Sequence, residues 1–168
     1  GLVLLRDLLE IRSPSGDERR AVDHLVRWLT RHGFSAHRDA AGNAVGILEP
    51  PGAGPCRELL LLGHIDTVGG FPTVAEREGR LYGRGAVDAK GPLAAFATAA
   101  AALGPQAGWR IVVAGAVEEE AATSKGARHL LSKRKPDCVV IGEPTGWQRM
   151  ALGYKGRLLV DVEFQRMM

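Results

Sequence analysis

The sequence has 168 residues, a formal net charge of +3 at pH 7, 45% hydrophobic residues and 24% charged residues. This length and balance are typical of a folded domain with a core and exclude a mainly disordered chain. Basic residues are scattered and only 5% of residues are aromatic, so nucleic-acid binding is not favoured. Cys56 and Cys138 lie far apart and form no CxxC motif, which indicates a reducing compartment, and we expect a cytoplasmic protein.

The first part of the chain predicts two amphipathic helices. Residues 1–10 carry charged side chains inside an apolar stretch, which favours a helix over a signal peptide or a membrane span. Residues 17–32 repeat apolar side chains at helical spacing, and Gly33 follows as a C-terminal cap. We therefore expect surface helices here and no membrane association.

From residue 43 onwards, apolar runs alternate with helical segments. The predicted strands are residues 43–49, 58–68, 109–120 and 136–145, and the predicted helices are residues 92–103 and 125–133. Near-continuous apolar runs are typical of strands that are covered on both faces. Their alternation with helices predicts an α/β fold, a three-layer αβα sandwich with a mostly parallel central sheet.

Ionisable residues follow three of these apolar runs. His64 and Asp66 follow the first, Glu118–Glu120 the second and Glu143 the third, while Asp88 lies in a glycine-rich loop between the first two. The carboxyl ends of parallel strands meet at one edge of a sheet. Like charges at a partly buried edge are unfavourable unless a cation neutralises them. The sequence therefore predicts a metal site at this edge.

The pair His64 and Asp66 fits such a site. Residues two positions apart in a strand point to the same face, so the imidazole can bind a metal while Asp66 accepts its other N–H. Each motif alone has a plainer explanation: a strand-end histidine is commonly structural, and Glu118–Glu120 could be a solvated helix start. The succession of candidate sites along the chain favours the metal site.

Other ionisable residues are expected to lie outside the site. His24, His32, His37 and His129 occur in predicted helical or polar surface segments without a carboxylate cluster, so we expect structural roles. We expect Lys90 to be a solvated loop charge and not a catalytic group.

The sequence also resembles a known family in four motifs that occur in the family's order. They are GHIDTV (63–68), GRGAVDAKG (83–91), VEEEAATSKG (117–126) and IGEPT (141–145). They resemble the zinc aminoacylases and carboxypeptidases that include acetylornithine deacetylase and succinyl-diaminopimelate desuccinylase. The resemblance implies a zinc-exopeptidase-like fold, two Zn²⁺ ions with Co²⁺ as a substitute, and hydrolysis of an amide bond.

The resemblance gives each candidate residue a role. The implied metal ligands are His64, Asp88, Glu120 and Glu143, and the implied catalytic residues are Asp66 and Glu119. Asp66 would orient the histidine and Glu119 would be the general base. The family usually has Asp-Glu-Glu where this chain has three glutamates, so Glu118 stays an alternative base. It usually has proline where this chain has Gly69, which affects loop stiffness more than chemistry.

A closer likeness is to the LysK-type branch of lysine and arginine biosynthesis, which releases an amino acid from the carrier protein LysW. The segments that resemble this branch are SPSG (13–16), DAKGPLAAF (88–96), EEEAATSKGAR (118–128), GEPTGW (142–147) and LGYKGRL (152–158). The carriers are acidic, and a mildly basic enzyme is consistent with them. The implied reaction releases lysine or ornithine from a carrier-linked or N-acyl form. The alternatives are a deacylase of small N-acyl amino acids, a dipeptidase or carboxypeptidase, and a non-catalytic metal-binding fragment.

The same resemblance divides the chain. It implies a zinc-dependent catalytic domain, incomplete, over residues 1–153 and the start of a lid or dimerisation domain over residues 154–168. In the family a later histidine completes the second zinc, and the lid joins two subunits. We therefore expect a catalytic-domain fragment that is inactive alone, and a homodimer at full length.

Overall fold

The computed structural model describes residues 1–146, 148–153, 160 and 162–164. The helices of this part are α1 (Leu2–Glu10), α2 (Arg19–Arg31), α3 (Lys90–Leu103) and α4 (Lys125–Lys133). Its strands are β1 (Ser35–Arg38), β2 (Ala44–Leu48), β3 (Arg57–His64), β4 (Ala75–Arg77), β5 (Arg80–Tyr82), β6 (Trp109–Ala116) and β7 (Cys138–Ile141). None of these helices is long and apolar enough to cross a membrane.

Five strands form the central sheet, in the order β1-β2-β6-β3-β7. β3 is parallel to β6 and β7, whereas β2 is antiparallel to both of its neighbours. Consequently β2 alone runs against the common direction of the other strands in this sheet, and the predicted mostly parallel sheet is confirmed. β4 and β5 form a separate antiparallel pair.

Helices cover both faces of the sheet, as predicted. On one face, α1, α2 and α3 pack on the strands in a core that includes Leu8, Leu25, Leu93 and Val113. On the other face, Leu130 of α4 packs against side chains of β2, β3 and β6. The three-layer αβα arrangement is thus confirmed, with most of the core on the side of α1, α2 and α3.

Two glycines let α3 approach the sheet directly beside the end of β3. Gly63 and Gly115 are partners in the ladder between β3 and β6. A Cβ atom at Gly63 would lie 3.1 Å from the Cβ of Leu93, and one at Gly115 would lie 3.2 Å from Leu93 Cδ2. Both contacts are tighter than side chains normally allow, so glycine at these positions permits the close packing next to His64.

The sequence prediction differs from the structure at the strand ends. β3 ends at His64 instead of residue 68, β6 at Ala116 instead of residue 120, and β7 at Ile141 instead of residue 145. After β6 the chain leaves the ladder because side chains bind its backbone N–H groups: Asn43 binds that of Val117 and Asp66 binds that of Glu119. β1 and the β4–β5 pair were not predicted, since these short segments lack a clear apolar alternation.

Residues 154–159, 161 and 165–168 lie outside the described residues, and with them most of the LGYKGRL segment. The domain boundary at residue 153 therefore stays a prediction.

Candidate metal centre

The carboxyl ends of β3, β6 and β7 bring one histidine and four carboxylates together. His64 is the last residue of β3, Glu119 and Glu120 follow β6, Glu143 follows β7, and Asp88 lies just before α3. The potential ligand atoms form two overlapping groups, each with its atoms within 4.8 Å of one another: one joins His64, Asp88 and Glu143, the other His64, Glu119 and Glu120. We call these five residues the acidic cluster.

His64 is central to the acidic cluster and only 2% exposed. Its Nε2 atom lies 2.9 Å from Asp88 Oδ1, 3.8 Å from Glu119 Oε2 and 4.0 Å from Glu143 Oε1. Burial by itself lowers the pKa of His64, but hydrogen bonds with Asp66 and Asp88 and the nearby glutamate charges outweigh it and raise the pKa to about 9. Without a metal, the imidazole is therefore protonated at neutral pH and offsets part of the carboxylate charge.

The carboxylates of the acidic cluster repel one another, and the pKa values of two of them are raised. Burial and the charge of Asp88 raise the pKa of Glu120. Burial also raises the pKa of Glu143, and the negative charges of Glu119 and Asp88 raise it further. A divalent cation would relieve this repulsion, and imidazole nitrogen with carboxylate oxygens is a donor set that zinc accepts. The residues present thus fit a metal.

Asp66 is fully buried and connects the histidine to the loop after β6. His64 Nδ1 lies 3.0 Å from the backbone oxygen of Asp66 and 3.5 Å from its carboxylate Oδ1. The same carboxylate accepts the backbone N–H groups of Glu119 and Glu120, each at 3.0 Å, and the Ser15 hydroxyl at 2.7 Å. Burial alone would raise the pKa of Asp66, but these hydrogen bonds keep it below its usual value. Asp66 therefore positions both the imidazole and the backbone of two glutamates.

Glu118 has other partners than the acidic cluster. Its backbone is left-handed, with φ of 55°, so the chain turns sharply at the end of β6. The Glu118 carboxylate accepts hydrogen bonds from the Thr123 hydroxyl at 2.8 Å and from Lys125 Nζ at 3.1 Å, and these two donors lower its pKa. Glu119 and Glu120 are the two glutamates of this loop that share a ligand group with His64.

The expectation of a solvated Lys90 is wrong. The Lys90 side chain is only 1% exposed, and its Nζ donates to the backbone oxygens of Leu8 at 2.9 Å and Ile11 at 2.8 Å. Burial lowers its pKa to about 8. No sequence pattern indicates this arrangement, because the acceptors are backbone carbonyls about eighty positions earlier in the chain.

Sequence reasoning also missed a buried asparagine that supports the site. Asn43 is 0% exposed, its Oδ1 accepts the N–H of Val117 at 3.0 Å, and its Nδ2 donates to the Gly126 oxygen at 3.1 Å and to Asp39 at 2.8 Å. These contacts fix the residues on both sides of the loop after β6. The sequence feature that could have indicated this role is the position of Asn43, a polar residue at the start of a predicted buried strand.

The remaining histidines have other neighbours. His24 Nε2 lies 3.5 Å from Asp7, and the ring of His32 stacks on Trp28 at 3.7 Å. Among the described residues, His64 is the one histidine that joins a group of potential metal ligands.

A mostly parallel sheet with an acidic cluster at the carboxyl ends of its strands defines an α/β protein with a candidate metal site. The profile described as "Peptidase family M20/M25/M40" matches residues 60–166. The chain belongs to this family.

Curated relatives resemble nearly the whole chain. The LysW-lysine hydrolase of Deinococcus radiodurans is 48% identical over 166 residues, which cover 97% of this chain and 45% of the relative. A putative LysW-lysine/LysW-ornithine hydrolase of Thermococcus kodakarensis is 46% identical over 154 residues, covering 92% of this chain and 42% of the relative. The chain thus spans less than half the length of these relatives.

Solved structures share the fold. Aminopeptidase PepT of Bacillus cereus superposes with a TM-score of 0.70 at 19% identity, over 86% of this chain and 43% of that one. Human carnosine dipeptidase 1 superposes with a TM-score of 0.67 at 24% identity, over 83% and 37% of the two chains. At these identities the likeness establishes the fold alone.

Proposed function

We propose that this chain is the metal-binding part of a zinc-dependent hydrolase that, at full length, releases lysine or ornithine from the carrier protein LysW. The metal ligands in this proposal are His64, Asp88, Glu120 and Glu143, with Co²⁺ as a substitute for the two Zn²⁺ ions. The observation that carries it is the pair of overlapping ligand groups that share His64. The names of the relatives support the substrate, and the family supports a metal-dependent hydrolase.

Glu119 is the proposed general base. Bound metal would polarise the substrate carbonyl and favour attack by water. The Glu119 side chain is 45% exposed beside the acidic cluster, so it can take a proton from the attacking water and return it to the leaving amine. Glu118 suits this role poorly because Lys125 and Thr123 already bind its carboxylate.

Space for a substrate lies next to these residues. A cleft of about 440 Å³ is lined by Glu119 and Glu143 together with Ile141, Pro144 and Thr145. Its apolar wall beside two carboxylates suits an aliphatic group next to a polar reacting centre. We place the scissile amide at the acidic end of this cleft.

The wider organisation follows the same proposal. Residues 1–153 would belong to the catalytic domain, and residues 154–168 would begin the lid through which the full-length protein forms a homodimer. A biosynthetic reaction of this kind would take place in the cytoplasm.

A substrate panel with the full-length protein tests the proposal. Purified enzyme loaded with zinc would be given LysW-linked lysine, LysW-linked ornithine, acetylornithine, succinyl-diaminopimelate and a dipeptide, and kcat/KM compared. We expect the carrier-linked substrates to be preferred, and Glu119→Gln to lower kcat by about 10² to 10⁴-fold. If a small N-acyl amino acid or a dipeptide is hydrolysed faster, the proposed substrate is wrong. If the protein binds metal but hydrolyses none of these compounds, the proposal that it is an enzyme is wrong.

A further inference from the structure

The loop that carries Asp88 contacts the core through a buried cation. Lys90, two positions after Asp88, begins α3, and its backbone N–H donates to the oxygen of Gly85 at 2.9 Å. Its side chain runs past Gly85, where an added Cβ would lie 3.0 Å from Lys90 Cδ and 3.1 Å from Thr67 Cγ2. The stem of Lys90 is therefore enclosed by the same loop whose end bears a proposed ligand.

The ammonium group of Lys90 lies at the C-terminal end of α1. It donates to the oxygens of Leu8, in the last turn of α1, and of Ile11, just after it; the Leu8 oxygen also accepts the N–H of Ile11 at 3.3 Å. A cation at this position also interacts favourably with the helix dipole. A side chain that is 1% exposed is held in one place by these contacts, so it links the start of α3 firmly to the end of α1.

The residues after α1 contact the segment of Asp66. The Ser13 hydroxyl donates to the Ile65 oxygen at 2.8 Å, the Thr67 N–H donates to the Ser13 oxygen at 2.9 Å, and the Ser15 hydroxyl donates to Asp66. Hydrogen bonds and the covalent chain of residues 11–15 therefore connect the loop of Asp88, through Lys90, to the segment just after His64.

We propose that Lys90 is a positioning residue for the metal site: its ammonium group, held by the carbonyls at the end of α1, sets the place of Asp88 relative to His64 and Asp66. This inference rests on the proposed metal site and deepens it. It predicts that Lys90 affects metal affinity and geometry although it does not touch the metal.

The test uses Lys90→Met, which keeps the length of the side chain and removes its donors. Zinc titration of the full-length protein should show an affinity lower by about 10 to 100-fold, the usual effect of losing a group that orients a ligand. The visible absorption spectrum of the Co²⁺-loaded variant should also differ from that of the wild type, because the spectrum reports ligand geometry. Val22→Ala is the matched control, since Val22 is equally buried in α2 and outside this connection.

The outcomes separate positioning from general stability. A lower melting temperature in both variants, with altered zinc affinity and Co²⁺ spectrum only in Lys90→Met, supports the proposal. Unchanged affinity and spectrum in a folded Lys90→Met overturn it. If Lys90→Met does not fold, Lys90→Gln, which keeps an N–H donor, is compared by the same two criteria. Failure of the wild-type chain to bind zinc at all would instead contradict the metal site itself.

Discussion

Three consecutive glutamates have two different surroundings in this protein. The Glu118 carboxylate accepts hydrogen bonds from Thr123 and Lys125. The backbone N–H groups of Glu119 and Glu120 instead donate to the Asp66 carboxylate, and their side chains belong to the acidic cluster. The left-handed backbone of Glu118 separates the first from the other two. The run of identical residues alone does not distinguish the three, and the backbone geometry separates Glu118 from Glu119 and Glu120.

The base and the ligand can be distinguished by substitution in the full-length enzyme. Glu119→Gln should retain both metals and lower kcat by about 10² to 10⁴-fold, the usual contribution of general acid–base catalysis. Glu120→Gln should lose metal, because an amide is a poorer ligand than a carboxylate. Elemental analysis beside the turnover rate measures both effects, and Glu118→Gln is the control. Metal loss confined to Glu119→Gln would reverse the two roles.

The raised pKa of His64 makes metal binding dependent on pH. A histidine ligand must be neutral, so below a pKa of about 9 each binding event at His64 releases a proton. The apparent zinc affinity of the chain should therefore rise with pH, by up to about tenfold per unit for this one proton, and level off above pH 9. Zinc titrations in a competing chelator between about pH 6 and pH 8 would show this slope. An affinity independent of pH in that range would argue against His64 as a ligand.

At the scale of the elements, the first turn of α4 is packed against the end of β6. A Cβ at Gly126 would lie 2.3 Å from Asn43 Oδ1 and 2.5 Å from the backbone nitrogen of Val117. Alanine has the higher helix propensity by about 1 kcal/mol, but a rigid backbone and a fully buried asparagine cannot move aside cheaply. The close contact therefore outweighs the propensity.

Gly126→Ala should accordingly lower the free energy of unfolding, by about 1 to 3 kcal/mol. Urea denaturation followed by circular dichroism measures the change. Gly54→Ala is the control, because no atom lies within 4 Å of the added Cβ, and its effect should stay within about 0.5 kcal/mol. Equal stability of the two variants would mean that α4 shifts to accommodate the methyl group.

The sequence predicted the elements with strong apolar patterns and the residues at their ends. The strands followed by His64, Glu120 and Glu143 were recognisable from their apolar runs, and parallel strands end at one edge of the sheet. The expectation that all three are covered on both faces is wrong for β7, whose four residues are exposed. Contacts made to backbone groups of distant segments were not predictable: Lys90 binds carbonyls of α1, and Asn43 binds the backbone beside β6. Such partners carry no side-chain pattern that a sequence displays.

At the scale of the whole molecule, the candidate site is assembled from segments spread along the chain. Ser15 meets Asp66 across 51 positions, and Asp66 meets Glu119 across 53. The ligand positions exist only when the sheet and helices have formed. Metal binding should therefore be coupled to folding of the entire unit.

Zinc should consequently stabilise the chain against heat. A ligand at a hundred times its dissociation constant adds about 2.7 kcal/mol when it binds only the folded state, which raises the melting temperature by several degrees. Differential scanning calorimetry with zinc and then with excess chelator measures the shift. His64→Ala should melt at the same temperature under both conditions, and a shift retained by this variant would place the stabilising zinc elsewhere.

β7 has a consequence for handling the protein in solution. All four of its residues are exposed, including Val139 at 42% and Ile141 at 57%, and within the described part of the chain β3 is its one partner in the sheet. An edge with apolar side chains that, within the described residues, pairs on one side alone is a template for further strands, so concentrated samples of the 168-residue chain should self-associate through it. Val139→Lys should raise the concentration at which light scattering begins. Leu131→Lys adds the same charge on α4 and leaves the edge open, so it should protect much less.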